Sequence, residues 1–170
     1  MKKVVITGPE SSGKSTLSKH LSESLFTPHV REYAREYIAS LDRLYKKDDL
    51  IQIAKGQLEL EKDIISQTPS YLICDTDLLT IKIWSEYKYG SCNSEILELL
   101  KNNLPDVYLL ASPDFPWKED CQRENPYNRD ELFSVYEQEI IKLAVPYFIL
   151  NGSESSRLER VMELFSNYFN

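Results

Sequence analysis

The sequence predicts an α/β fold in three layers, a parallel sheet with helices packed on both faces. Two observations carry this expectation. Apolar runs of strand length alternate with amphipathic segments along the chain, and the first run ends in a glycine-rich loop that opens a helix. The runs are apolar throughout rather than alternating, as in strands buried on both sides.

Near the start, KKVVIT is a short β-branched strand that ends in GPESSG, and KSTLSKHLSESLF then sets Leu17, Leu21 and Leu25 at helical spacing. A brief extended piece from Pro28 to Val30 precedes a helix that begins within REYAREY and runs to about Leu41. On its wheel Ala34, Ile38 and Leu41 share the core side with Tyr37 at the edge. Arg31 and Arg35 form one flank, and Glu36 points into solvent. Glu32 differs by position. It falls in or just before the first turn, where a carboxylate lies at a helix start above the C-terminal edge of the sheet, with Arg35 as its i,i+3 partner.

Residues 48 to 67 read as one long amphipathic helix, with Leu50, Ile53, Ala54, Leu58, Glu61 and Ile65 at periods of three and four and Gly56 a mild weakness. SYLICD is a buried strand ending in an acid, TDLLTIKIWSEYKYG a helix stopped by Gly90, SEILELLKNNL another helix and DVYLLA another buried strand. From Ser112 to Asp130 the chain carries three prolines and many charges without a clean period, and reads as a long loop or lid. ELFSVYEQEIIKLAV is then a helix and PYFILNG a last strand. A closing helix follows, with Leu158, Val161, Met162, Phe165 and Phe169 marking its core face.

A chain of 170 residues, 42 % hydrophobic, is long enough for one real core, and no repeat or linker divides it; one domain over residues 1–170, with its lid at about 112–130, is expected. The net charge of -7 argues against nucleic acid or an anionic membrane as partner, while leaving room for a local basic pocket. Cys74, Cys92 and Cys121 are odd in number and lack a C-x-x-C pair, which fits a reducing compartment. The N-terminal apolar run is too short for a signal peptide or a membrane span, so a cytoplasmic location is expected. His20 and His29 form no zinc-like constellation with the cysteines.

The chemistry starts at GPESSGKS, residues 8 to 15, a complete G-x-x-x-x-G-K-S/T phosphate loop between the strand and helix it requires. Gly8 and Gly13 let the backbone turn tightly, and the loop from Pro9 through Glu10, Ser11 and Ser12 to Thr16 wraps an anion, with every N–H from Glu10 onward available to face it. Lys14 reaches the β- and γ-phosphates, and the Ser15 hydroxyl ligates Mg²⁺. Asp75 ends the strand placed next to the loop, where an acid holds the magnesium through water. Asp77 reads either as an N-cap for the helix DLLTIKIW or as a group that orients a substrate hydroxyl. The D-x-x-G and N-K-x-D elements of a GTP switch are absent after Asp75.

Arg123 and Arg129 lie in the long irregular segment, which is either a solvated loop or a lid that brings positive charge over a moving phosphate and excludes water. Trp84 and Tyr87, with Tyr89, close one helix and Trp117 opens the irregular segment. Each ring is packing on its own, but together they suit a flat heterocycle.

GPESSGKSTL, REYAREY, IAKGQ, CDTDLLTIKIWSEYKYG, PWKEDCQRENPYNRDEL and PYFILNG together resemble the NadR-like ribosylnicotinamide kinase domain, a P-loop kinase family, over essentially the whole chain. The resemblance implies a five-stranded parallel sheet, ATP and Mg²⁺ as cofactors, and transfer of the γ-phosphate to the 5'-hydroxyl of nicotinamide riboside. It puts phosphate binding at Gly8 to Thr16, magnesium near Asp75, substrate contact at Glu32, Asp77 and the Trp84 region, and clamping at Arg123 and Arg129. Since the phosphate loop begins at residue 8, neither the adenylyltransferase nor the repressor domain of the larger members is expected. Another nucleoside or small alcohol as acceptor, or a slow ATPase acting as a regulatory module, are the competing readings. Whether Glu32 or Asp77 holds the acceptor, ATP or GTP preference, and assembly as a homo-oligomer stay open at this level.

Overall fold

A computed structural model of the protein describes residues 1–67 and 69–168. Five strands, β1 (Lys2–Thr7), β2 (His29–Val30), β3 (Tyr71–Asp75), β4 (Val107–Ala111) and β5 (Tyr147–Leu150), form one parallel sheet in the order β2-β3-β1-β4-β5. Seven helices are present among the described residues: α1 (Lys14–Ser24), α2 (Tyr33–Ala39), α3 (Asp49–Ile65), α4 (Leu78–Tyr89), α5 (Ser94–Asn102), α6 (Arg129–Leu143) and α7 (Glu154–Tyr168).

Successive strand residues face opposite sides and fill two separate cores. Val5, Leu72, Cys74, Tyr108 and Leu110 pack beneath α3 to α6. Val4, Ile6, Ile73, Val107 and Leu109 pack beneath α1 and α7, against Leu17, Leu21, Val161, Leu164 and Phe165. Burial on both faces is why the strands carry no polar alternation. Phe169, predicted to join the core face of the last helix, lies outside the described residues.

Three expectations change. The REYAREY helix starts at Tyr33, with Glu32 as N-cap, and ends at Ala39. Arg129 opens α6 rather than belonging to the irregular segment, because helical hydrogen bonding already begins with Leu132 N–H to Asn128 C=O.

Gly56 is no weakness either. A Cβ there would stand 2.0 Å from the Tyr33 ring, so the missing side chain is the slot into which α2 packs on α3. Its neighbour Gln57 is buried and caps α2: its Oε1 accepts from Tyr33 N–H at 2.9 Å and its Nε2 donates to Arg31 C=O at 3.3 Å. Ile65, by contrast, is 38 % exposed, while Glu61 is buried and paired with Lys3 at 2.6 Å.

Candidate active site

The β1–α1 loop closes around a small space at the C-terminal edge of the sheet. Gly8 has φ 134°, and a Cβ on it would lie 2.6 Å from Ala111 C=O; Gly13 has φ 81°, with the Phe115 ring where its side chain would go. Both positions therefore exclude any other residue. Ser12 Oγ and Lys14 Nζ both donate to Pro9 C=O, at 2.8 and 2.6 Å, which ties the loop across itself. Burial lowers the Lys14 pKa, against the opposing pull of Glu32, Asp75 and Glu10.

The register pairs Ile6 with Asp75, so the end of β3 stands beside the loop. Asp75 is buried, with the Ser15 hydroxyl close enough to favour its charged form, and its Oδ1 is buried without a partner. Burial raises its pKa, with Ser15 and Lys14 opposing. An orphan carboxylate oxygen beside a hydroxyl fits a hard dication such as Mg²⁺. No cluster of three or more His, Cys, Asp or Glu is found among the described residues, so an ion here would need phosphate oxygens or water to complete its shell.

Glu32 makes no N-cap bond, because Gln57 has taken that role. Its carboxylate is therefore free to line the phosphate cleft, only 12 % exposed and 3.3 Å from Arg35 Nε. Burial, then the Asp75 charge, pushes its pKa up, while Lys14 and Arg35 pull it down. Glu36 stays on the surface opposite Arg31, at 3.6 Å.

Asp77 does not reach the cleft. It is 1 % exposed, its Oδ1 accepts from Leu79 N–H at 3.0 Å and its Oδ2 from the Tyr108 hydroxyl at 2.7 Å. Both oxygens are spent on capping α4 and fastening it to β4, which removes Asp77 from substrate contact. The alternative reading as an N-cap is the one observed.

The irregular segment 112–128 lies over the loop. Glu10 accepts the backbone N–H of Glu124 at 3.1 and 3.2 Å and of Asn125 at 2.9 Å, and Ser11 Oγ accepts from Lys118 N–H at 2.9 Å. From the other side Arg35 holds Asp120 at 2.9 Å and Lys88 holds Glu124 at 2.6 Å. Arg123 lines the cleft, with Nη1 3.4 Å from Ser11 Oγ and a further bond to Lys118 C=O. Arg129 does not line it. Its guanidinium donates to Phe115 C=O at 2.7 Å and lies 5.9 Å from the Trp117 ring, so it braces the segment.

The aromatic residues separate into two groups rather than one cluster. Trp84 and Tyr87 line a cavity of about 210 Å³ adjoining the cleft, together with Tyr45, Lys88, Glu10 and Glu124. Trp117 lines another, of about 440 Å³, with Phe115, Pro116, Thr16 and Arg157. Trp117 Nε1 and Arg157 Nε are both buried there without a partner. Sequence reasoning missed Arg157, Gln57, Tyr45 and Lys88. For Arg157 a signal existed: it precedes Val161 by four residues and so sits on the core stripe of α7.

The AAA domain family model matches residues 3–157. The chain belongs to that family.

Within it, this AAA domain is similar to the trifunctional NAD biosynthesis/regulator protein NadR of Salmonella typhimurium strain LT2, 27% identical over 124 residues, which are 71% of this chain. The match covers 30% of that relative's length. Among solved structures, NadR in complex with NAD and AMP-PNP superposes with a TM-score of 0.76 at 20% identity, over 97% of this chain and 49% of that one. NadR in complex with NR gives 0.73 at 21% identity, over 98% and 51%. A thymidylate kinase from Ehrlichia chaffeensis shares the fold at a TM-score of 0.68 and 17% identity, over 96% and 98%. The resemblance read from the sequence thus holds, and the fold is that of P-loop nucleoside kinases. No described helix is long and apolar enough to cross a membrane.

Proposed function

We propose that the chain is an ATP-dependent kinase that transfers the γ-phosphoryl group of ATP to the 5'-hydroxyl of nicotinamide riboside, giving nicotinamide mononucleotide and ADP. One observation carries this reading. The phosphate cleft, with the largely buried Glu32 carboxylate in it, adjoins an aromatic-walled cavity, and Glu10 and Trp84 line both.

In this mechanism the loop amides and Lys14 hold the β- and γ-phosphate oxygens as charge builds on them. Ser15 and Asp75 would hold Mg²⁺, which would neutralise phosphate charge. Glu32 accepts the hydrogen bond of the attacking hydroxyl and takes its proton; burial raises its pKa and so makes it a stronger base than a solvated carboxylate. Arg123 approaches the transferred group from above, and segment 112–128 acts as a lid that keeps water out. The base of ATP occupies the cavity beside Trp117. The ribose and ring of the acceptor lie against Trp84 and Tyr87.

A second reading, another nucleoside as acceptor, draws on Lys88. Its ammonium lies 4.0 Å from the centroid of the Tyr45 ring, so that aromatic face already holds a cation, which a positively charged nicotinamide ring must displace and a neutral base need not. Steady-state rates with ATP on nicotinamide riboside, common nucleosides and shikimate-like alcohols decide between them. Nicotinamide riboside is expected to give the highest kcat/KM, and a preference of more than about tenfold for any other acceptor overturns it.

A further inference from the structure

Arg157 is the largest fully buried side chain among the described residues, and nothing in the mechanism above uses its charge. It projects from the first turn of α7, at the far end of the chain from the phosphate loop. Its Nη1 donates to Ser12 C=O at 2.6 Å, and its Nη2 to Ser112 C=O at 2.8 Å and to Asp114 Oδ2 at 3.2 Å. The guanidinium also lies 4.6 Å from the centroid of the Phe115 ring, the same ring that packs where a Gly13 side chain would stand.

We infer that Arg157 is a positioning residue for the phosphate loop, which it turns and charges for binding the triphosphate. Two physical steps lead there. The peptide joining Ser12 to Gly13 is planar and trans, so pinning the Ser12 carbonyl on Arg157 turns the Gly13 N–H to the opposite side, toward the anion. Burial also leaves a full positive charge beneath the loop. Asp114, its one acidic partner among the described residues, has a side chain 41% exposed and accepts from Gly152 N–H as well, so the neutralisation is partial. Arginine suits the task because a planar fork serves two carbonyls in fixed directions, which one ammonium does not.

This inference rests on the kinase reading only in requiring that the loop takes a triphosphate. The test compares wild type, Arg157→Lys and Arg157→Met by calorimetric binding of inorganic tripolyphosphate, which lacks both base and sugar. ATP kinetics and thermal melts on the same proteins complete it. Tripolyphosphate affinity is expected to fall about threefold in Arg157→Lys and about tenfold or more in Arg157→Met, measured well below each Tm. KM for ATP should rise in the same order while kcat moves less than about threefold.

A purely architectural Arg157 would lower Tm in that order and leave affinity alone. Tripolyphosphate binding within twofold of wild type in folded Arg157→Lys therefore overturns the inference, and this variant alone suffices where Arg157→Met does not fold. A wild-type protein that binds neither ATP nor tripolyphosphate would instead bring down the kinase reading, and this one with it.

Discussion

The floor of the cleft and the segment above it are built in opposite ways. Floor groups are fixed by short-range backbone geometry and by burial: two glycines that admit no side chain, Asp75 at the end of a central strand, and Glu32 released from capping by Gln57. The proposed lid is fixed by polar contacts from distant parts of the sequence, among them Lys88 to Glu124, Arg35 to Asp120 and Glu10 to the Asn125 amide, which are 36, 85 and 115 residues apart. Exposed contacts of that kind contribute only about 0–1 kcal/mol each. A rigid floor under a weakly held cover is what a site needs if it must admit substrate and then exclude water.

The largest test of this contrast is on the floor. Glu32→Gln should lower kcat/KM for the acceptor by about 10²–10⁴, the range for a lost general base, whereas Glu36→Gln, on the same short helix, should stay within about twofold. Equal losses in the two would erase the distinction between an inward and a solvated carboxylate.

Next in size is the clamp on the cover. Glu10→Ala removes the acceptor for two lid amides, and it should raise acceptor-independent ATP hydrolysis relative to transfer by about tenfold, with only a small change in Tm. Phosphate release measured with and without acceptor gives the ratio. An unchanged ratio would mean that Lys88, Arg35 and Ser11 hold the lid without Glu10.

The smallest effect is on stability, and it has opposite sign in the two regions. Burial raises the Glu32 pKa, so its contribution is fully present below its unfolded value near 4.5 and is lost as pH rises through the folded value. Relative to Glu32→Gln, wild type should therefore lose Tm as pH climbs from 4 to 7. Asp120 runs the other way: the Gln122 amide and Arg35 lower its pKa, so its stabilisation is complete above its unfolded value near 3.8 and disappears as pH falls through the folded value. Melting curves of Glu32→Gln against wild type above pH 4.5, and of Asp120→Asn against wild type below pH 3.8, show both slopes, and slopes of the same sign would contradict the contrast.

Legibility in the sequence follows the same division. The five strands, the phosphate loop, Asp75, the stop at Gly90 and the Glu32–Arg35 pair were all readable, because each depends on local spacing or on a motif whose neighbours in sequence are its neighbours in space. Asp77 was ambiguous because a cap and a substrate ligand demand the same residue at the same place. Only Tyr108, arriving from another strand, shows that both of its oxygens are taken. The aromatic residues were misgrouped for a related reason: Trp84 and Trp117 lie on segments that the sheet order carries to different cavities.

The sequence by itself determined a parallel sheet, an anion-binding loop at the end of its first strand and an acid beside it, since hydrophobic period and glycine geometry act within a few residues. Tertiary structure decided which polar groups face the cleft and which are spent on holding the fold. Gln57 freeing Glu32, Tyr108 closing Asp77 and Arg157 reaching back to Ser12 each join residues 24 to 145 positions apart. Hydrogen-bond capacity is finite, and which partner uses it is settled only when the chain has packed.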